Sequence, residues 1–456
     1  MAAYDISEIS NLYQNAQESY IQGKFEEALQ YCNKALLQFA SVKNPNSDVQ
    51  FRLLRLMLAI ANNGWRGSST LPGGLIVRDL FERAEAVAQQ SQAKARIAQI
   101  LQMKGVWLLT TIGSSNAIET LQDAWRLARE SDDRLTEFIT TYSLGHQVSK
   151  DNLDNGISLL YRAYEIYSIY EQEIINSDPS PEMVESRLYA VAALGINEFD
   201  RGNYSKAFAL LRDTLHEYNI RGLKFDLPVI LNFLAQVEIA SGDFEEAESH
   251  LNQAIAQFEN SSIPNSWNGY NLALLGKLYI EWGRLENATN PIKRGLQESS
   301  ITHNVDLISL VRNYYAEYLM HPDNNQRNLE QAAILLHENL SECRASAMHR
   351  SAILALSMLG QIMLQEENRD SAFALSQEAV EYLERMGRMP AVRSEEIYYN
   401  HYKIFNALGN EKEAQKCLEK AYDLIHYVLI DDEKPFFERV PLNRSIVQAY
   451  QAHLGK

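Results

Sequence analysis

The sequence predicts an all-α solenoid of about ten helix-turn-helix pairs, closed by a C-terminal capping helix. Three observations predict it: a recurring turn built on glycine and acidic residues, a small/large/small triplet after each turn, and a nearly constant step between triplets. Repeats of 20–50 residues signal arrays in which each unit buries its apolar face only against its neighbours.

The turn is clearest in Gly23-Lys-Phe-Glu-Glu-Ala28 and Gly242-Asp-Phe-Glu-Glu-Ala247. A glycine ends one helix, an aromatic follows, and acidic residues open the next, where the helix dipole favours negative charge. Gly202-Asn-Tyr-Ser-Lys-Ala207, Gly283-Arg-Leu-Glu-Asn-Ala288 and Gly409-Asn-Glu-Lys-Glu-Ala414 vary the same device.

After the turns come Ala28/Cys32/Ala35, Ala117/Leu121/Ala124, Gly156/Leu160/Ala163, Ala207/Leu211/Thr214, Ala247/Leu251/Ala254, Ala288/Ile292/Gly295, Ala332/Leu336/Asn339, Ala372/Ser376/Ala379 and Ala414/Leu418/Ala421. Spacings of four and three put each triplet on one helix face, closely apposed to a neighbour. The preceding helix supplies its own small residue for the crossing: Ala16, Gly105, Gly195, Ala235, Gly276, Ala316 and Gly360. A further pair between Asp48 and Gln90 keeps the apolar spacing without the clean triplet.

From Ala117 onward the steps are 39, 51, 40, 41, 44, 40 and 42 residues. HEAT and armadillo arrays share this period but lack the glycine turn. Ser, Asn, Asp and Pro gather between pairs, at Ser41–Asp48, Asn176–Glu182, Asn260–Ser266, His321–Asn328 and Gly387–Ser394, without separating domains. The expected organisation is one array over residues 1–430, then a linker and capping helix over 431–456, with Asp431 to Lys434 breaking the pattern and Pro441 opening the cap.

Forty-two basic against 59 acidic residues, a net charge of −17, argue against a nucleic-acid binder and favour basic partners. Cys32, Cys343 and Cys417 have neither disulfide nor zinc spacing, and no 18-residue apolar run occurs. A reducing cytoplasm is the expected compartment, with no membrane insertion. The exposed ends of the array leave self-association open.

The Gly-x-[Phe/Tyr]-x-x-Ala turns and the triplets resemble tetratricopeptide repeats over roughly Leu12 to Leu429, which implies a right-handed superhelix that binds proteins. The longer period and the tail Phe437-Glu-Arg-Val-Pro-Leu-Asn-Arg444-Ser-Ile446 resemble the bacterial MalT-like and signal-transducing ATPase-associated sensor arrays. That likeness implies a free-standing sensor or adaptor array, or one that docks onto a separate effector chain.

No residues are singled out for catalysis, cofactor or metal. His216-Glu217 and His337-Glu338 begin like a zinc-protease motif, but Ile220 and Ser341 stand where the second His would be. There is no phosphate-cradling GxxxxGK[ST] and no GxSxG elbow. The glycine-rich segment Asn62–Gly74 is an elongated connection expected to tuck Trp65 against its neighbours, with Arg66 beside backbone amides that an anion would fit.

In such superhelices the first helix of each pair lines the concave face. Phasing from the crossing residues places Gln102, His146, Asn197, Asn232, Gln236, Tyr270, Lys277, Asn313, Glu317, Gln361, Tyr399 and Lys403 at or near it. Asn and Gln can hydrogen-bond a peptide backbone whatever its side chains. The function expected is a non-enzymatic scaffold or adaptor that holds a peptide segment or helix of a partner protein. The alternative is a receptor whose curvature changes on binding a small molecule or signalling peptide.

Overall fold

The computed structural model describes residues 6–42, 46–177, 180–224, 226–258, 265–302, 304–426 and 439–454. These form ten helical pairs: α1 (Ile6–Ile21) with α2 (Phe25–Phe39), α3 (Ser47–Gly64) with α4 (Val77–Gln90), α5 (Lys94–Ile112) with α6 (Ser114–Arg129), α7 (Arg134–Val148) with α8 (Leu153–Asn176), and α9 (Pro181–Asp200) with α10 (Tyr204–Arg221). The array continues with α11 (Leu227–Ser241) and α12 (Phe244–Ala256), α13 (Ser266–Glu281) and α14 (Leu285–Thr302), α15 (Val305–Met320) and α16 (Leu329–Ala345), α17 (His349–Gln365) and α18 (Arg369–Met386), then α19 (Ser394–Ala407) and α20 (Glu411–His426). A last helix, α21 (Pro441–Leu454), lies on α20, where Tyr450 stacks on Tyr422 with ring centroids 3.8 Å apart. Asp431 to Lys434, Phe437 and parts of three linkers fall outside the described residues.

The glycines of the five turns have φ between +71° and +95°, a conformation that ends a helix at little cost only in glycine. The aromatic after the glycine then folds inward: Phe244 is 2% exposed and packs on Trp282 of the next pair at 5.7 Å. The triplets are the seam within each pair, with Ala247, Leu251 and Ala254 all fully buried. Their large middle residue sits on the small crossing residue of the partner helix. A Cβ on Gly105 would lie 2.6 Å from Leu121 Cγ, and one on Gly276 2.6 Å from Ile292 Cβ. Helices thus approach until side chain meets backbone, which is why those positions are glycine.

Between pairs the first helices are tied by a polar ladder whose rungs repeat the period of the sequence. Gln102 donates to Ser143 Oγ (2.8 Å), Asn232 to Asn271 Oδ1 (2.6 Å), Asn313 to the Ser351 carbonyl (3.0 Å) and Gln361 to the Asn400 carbonyl (3.0 Å). Asn232, Asn271 and Asn313 are essentially buried, so each rung satisfies polar groups that would otherwise oppose packing.

The superhelix is wound tightly enough for successive turns to touch. The Lys224 amide donates to the Ile21 carbonyl, Asn265 to the Asn63 carbonyl, Arg388 to the Arg201 carbonyl and Arg439 to Glu245. Gly113, at the α5–α6 turn, lies so close to the Ser346 carbonyl that a Cβ there would clash at 2.3 Å. Each contact joins pairs about five apart in the array, so one turn takes about five pairs. The two short strands β1 (Thr70–Leu71) and β2 (Leu75–Ile76) form a small antiparallel hairpin within the long α3–α4 connection. Trp65 of that connection is buried, and Gly67 presses on Thr302 and Asn304 of the next turn.

Candidate functional site: an axial cavity between superhelical turns

Stacked turns leave a set of three adjacent chambers on the inner side of the superhelix, each sharing lining residues with the next. An N-terminal chamber of about 130 Å³ lies among α3, α5, α7 and α9; a middle one of about 70 Å³ is bounded by α7, α9, α13, α15 and α17; a C-terminal one of about 100 Å³ lies between α9, α11, α13 and the α18–α19 linker. Arg66 and His146 face both the first and the second, and Asp200 and Gln236 both the second and the third.

Eight of the twelve residues expected on the concave face line this cavity or its annex beside α15 and α17: Gln102, His146, Asn197, Gln236, Tyr270, Lys277, Asn313 and Glu317. Asn232 is fully buried one layer behind, between Asn271 and Gln236, whose amide donates to it at 2.7 Å. Gln361 belongs to the ladder. Tyr399 and Lys403 lie near the C-terminal end, where Tyr399 reaches the Ser445 carbonyl of α21 and Lys403 sits over the Tyr399 ring and donates to Asn400. Helical phase alone makes these polar positions one surface, whereas in the fold Asn232 and Gln361 belong to the ladder alone, and Gln102 and Asn313 are rungs that also line the cavity or its annex.

Charged residues that no sequence pattern groups together meet here. Asp306 at the start of α15 accepts from Lys150 at the end of α7 (2.8 Å) and from Arg350 at the start of α17 (2.6 Å). Burial opposes its ionisation, but Arg350 and Lys150 outweigh that and hold the carboxyl below the usual carboxylate range. Lys277 lies 2.7 Å from Glu317 and 3.4 Å from Glu281; burial alone would lower its pKa, and these carboxylates raise it instead. Arg393 joins the cluster through Glu281 at 3.8 Å and also pairs with Glu395 at 2.9 Å. Asp200 accepts from the Ala391 amide at 3.1 Å, and burial pushes it up to about 7; burial likewise pushes Asp226 up to about 6. His146 is driven down to about 3, chiefly by burial, and stays neutral at physiological pH.

Aromatic rings supply the apolar part of the wall. Tyr270 stacks with Tyr314 at 6.1 Å, and Trp267 packs on Tyr270 at 5.8 Å. The tyrosines of α8 have different roles: Tyr167 is buried against Phe138, Tyr161 bonds to Glu198 and Lys206 of the following pair, and Tyr164 is half exposed on the outer face. Among the described residues no group of His, Cys, Asp and Glu could hold a metal ion, and no helix is long and apolar enough to cross a membrane.

Residues 226–297, which form the sixth and seventh pairs, match the family model for the tetratricopeptide repeat. No curated protein matches the chain. Among solved structures, a Rap protein complexed with competence and sporulation factor superposes with a TM-score of 0.58 at 13% identity, covering 84% of this chain and 99% of that one. The Rap conjugation gene regulator of plasmid pLS20 in complex with the Phr* peptide gives 0.48 at 14% identity, over 83% and 98%. The apo quorum sensor NprR from B. thuringiensis gives 0.49 at 13% identity, over 75% and 94%. The first likeness extends the shared fold over most of the chain.

Proposed function

We propose that this chain, a repeat protein of the tetratricopeptide type, is a non-enzymatic binding protein that holds an extended peptide segment of a partner in its axial cavity. The observation that carries the reading is the run of adjacent chambers lined by Gln102, Asn197 and Gln236 together with the Tyr270–Tyr314 stack. Amide side chains pair with a peptide backbone of any sequence, and tyrosines give contact area at low entropic cost. Of the expected peptide segment or helix we take the former, since an extended chain can pass from one chamber to the next residue by residue, whereas a helix about 10–12 Å across needs one continuous channel. The fold is shared with a Rap protein whose structure was solved with competence and sporulation factor, and this supports a bound partner.

The second reading, a receptor that changes shape when occupied, is favoured by the contacts between turns. Lys150–Asp306, Asp200–Ala391 and Arg388–Arg201 close the cavity, so a ligand entering from the side must open them. A small rotation at each repeat then accumulates along the array.

The test is affinity selection from a random hexapeptide library, with retained peptides sequenced by mass spectrometry. The intact chain is expected to enrich a defined subset, and Gln236→Trp, which fills the junction of two chambers, to lose it. Equal enrichment by both proteins would place binding elsewhere.

A further inference from the structure

The triplets that begin at Gly156 and Ala207 are 51 residues apart, against 39 to 44 for the other steps from Ala117 onward. There α8 runs to 24 residues, and a hollow of about 380 Å³ opens on the outer face between α8, α9 and α10, larger than any of the three axial chambers. Its floor is apolar, with Val191 and Leu194 of α9 at the base, Leu160 and Tyr164 of α8 on one side and Leu210 of α10 on the other. The core is interrupted at the same place. Most buried apolar side chains of the array belong to one continuous cluster, whereas two separate clusters form here, one around Phe138, Tyr167 and Ala190 and one around Leu160 and Leu194. The hollow borders both. One turn beyond Glu171 on α8 and Glu217 on α10, Ile175 and Ile220 are 50% and 67% exposed and continue the apolar surface along both helices. Interiors are otherwise close-packed, so an open apolar gap of this size is surface that an apolar partner covers favourably.

The rim states the charge of that partner. Glu171, Asp213 and Glu217 stand on it against one guanidinium, Arg187, among the described residues. Arg187 lies 3.2 Å from Glu171 and over the Tyr167 ring, and Arg221 meets Glu217 at 3.2 Å. Even with Arg221 counted, three carboxylates face two cations, and Asp213 has no cation partner among the described residues. The other cations of α10 are engaged elsewhere: Lys206 lies 3.5 Å from Glu198, and Arg212 sits over Phe208 at 4.6 Å. A second copy of this acidic chain would bring like charges together, whereas a cationic partner meets them. The walls are helices whose backbone groups are bonded internally, so an extended peptide would bury its own N–H and C=O groups here without partners. A helix brings its backbone already satisfied and packs between α8 and α10 as ridges into grooves.

We propose that the outer hollow between α8, α9 and α10 is the docking site for an amphipathic helix of a partner protein, its apolar stripe flanked by lysine or arginine. The site is separate from the axial cavity, and the chain holds two different ligands on opposite sides of α9: Asn197 and Asp200 face the chambers, Val191 and Leu194 the hollow.

Three labelled synthetic peptides of about 18 residues, long enough to hold a helix, test it on the full chain by fluorescence anisotropy. One carries a helical stripe of leucines flanked by lysines, one the same stripe flanked by glutamates, and one the lysine composition in shuffled order. The first is expected to bind one to one, at least tenfold tighter than either of the others. Val191→Trp, which fills the hollow, is expected to weaken that binding at least tenfold. Asp213→Lys, which reverses an exposed rim charge, is expected to weaken it about threefold to tenfold, and decides the matter if Val191→Trp does not fold. Glu338→Lys, the same charge change at an exposed position of α16, and Gln236→Trp in the axial cavity are expected to leave it unchanged. No binding, equal affinity for the lysine and glutamate peptides, or unchanged affinity in a folded Val191→Trp or Asp213→Lys would overturn the proposal. So would equal weakening by Glu338→Lys, which assigns binding to net charge, or loss in Gln236→Trp, which places the peptide in the axial cavity. Self-association of the parent that Val191→Trp abolishes, read by sedimentation, would give the hollow to a second copy and overturn it as well. Hexapeptides are too short to hold a helix, so the library selection succeeds or fails independently of this site.

Discussion

Lys150 and Asp306, 156 positions apart in the chain, meet at 2.8 Å where one superhelical turn rests on the next, and Arg350 completes the bridge from the same side as Asp306. Both partners are mostly buried, at 13% and 9% side-chain exposure, so removing the acid strands two cations. Asp306→Ala is therefore expected to lower unfolding free energy by about 3–5 kcal/mol, read by chemical denaturation. Glu130→Gln, which breaks the exposed Lys94–Glu130 pair, is expected to leave the denaturation midpoint unchanged.

The crossing glycines give a graded test of the repeat seam. Gly105→Ala forces a Cβ to within 2.6 Å of Leu121 Cγ and is expected to cost about 1–3 kcal/mol, with Leu121→Ala relieving part of it as a coupling of about 1 kcal/mol in a double-mutant cycle. Gly360→Ala meets Ser376 Cβ only at 3.3 Å, and the gain in helix propensity offsets that squeeze. Its midpoint is expected to stay at or above that of the parent.

These glycines and their triplets are legible in the sequence because an interface between adjacent helices needs small residues at fixed spacing and leaves a periodic trace. The helical pairs and the terminal helix follow from that trace and the apolar spacing. Contacts such as Lys150–Asp306 and Asp200–Ala391 leave none, because they join single residues four to five repeats apart with no periodicity of their own. The closure of the groove, and with it the chambers and their charge, is therefore invisible in the sequence. The polar face is half legible: helical phase brings Gln236 and Asn232 close together, yet one reaches the cavity and the other a neighbouring helix. Arg66 stands out in the sequence for its glycine-rich surroundings, but its approach to Trp267, some two hundred positions on, exists only in the fold.

Asn232 separates ladder from cavity wall. Asn232→Ala leaves a fully buried Asn271 without its donor, and the expected result is a stability loss of about 1–3 kcal/mol with peptide retention preserved below the unfolding transition. Gln236→Ala should instead weaken retention, together with a stability loss of about 1–3 kcal/mol because it removes the donor to the buried Asn232 Oδ1. Denaturation curves and library selection on the two variants check both.

Asp200 predicts a pH dependence whose sign is fixed. Burial raises it to about 7 from an unfolded value near 3.9, so between those limits the folded chain binds more protons than the unfolded chain. Its contribution to stability is highest at the acid end and falls as pH rises through about 4 to 7. His146 acts in the opposite sense, since the fold holds it neutral down to about 3. Comparison with Asp200→Asn, which keeps an oxygen for the Ala391 amide, isolates the aspartate. Between pH 5 and pH 8 the parent is expected to lose about 2–3 kcal/mol more than the variant in urea denaturation.

The central claim is that ligand sits inside the turns and not on the outside of the array. It is tested most directly by giving a library-selected peptide a photoreactive phenylalanine and mapping the crosslinked residues by mass spectrometry. The cavity account predicts labelling of Tyr270, Lys277, Tyr314 or Gln236 and its loss in Gln236→Trp; labelling confined to the outer face around Tyr164 and Glu171, unchanged in that variant, would contradict it.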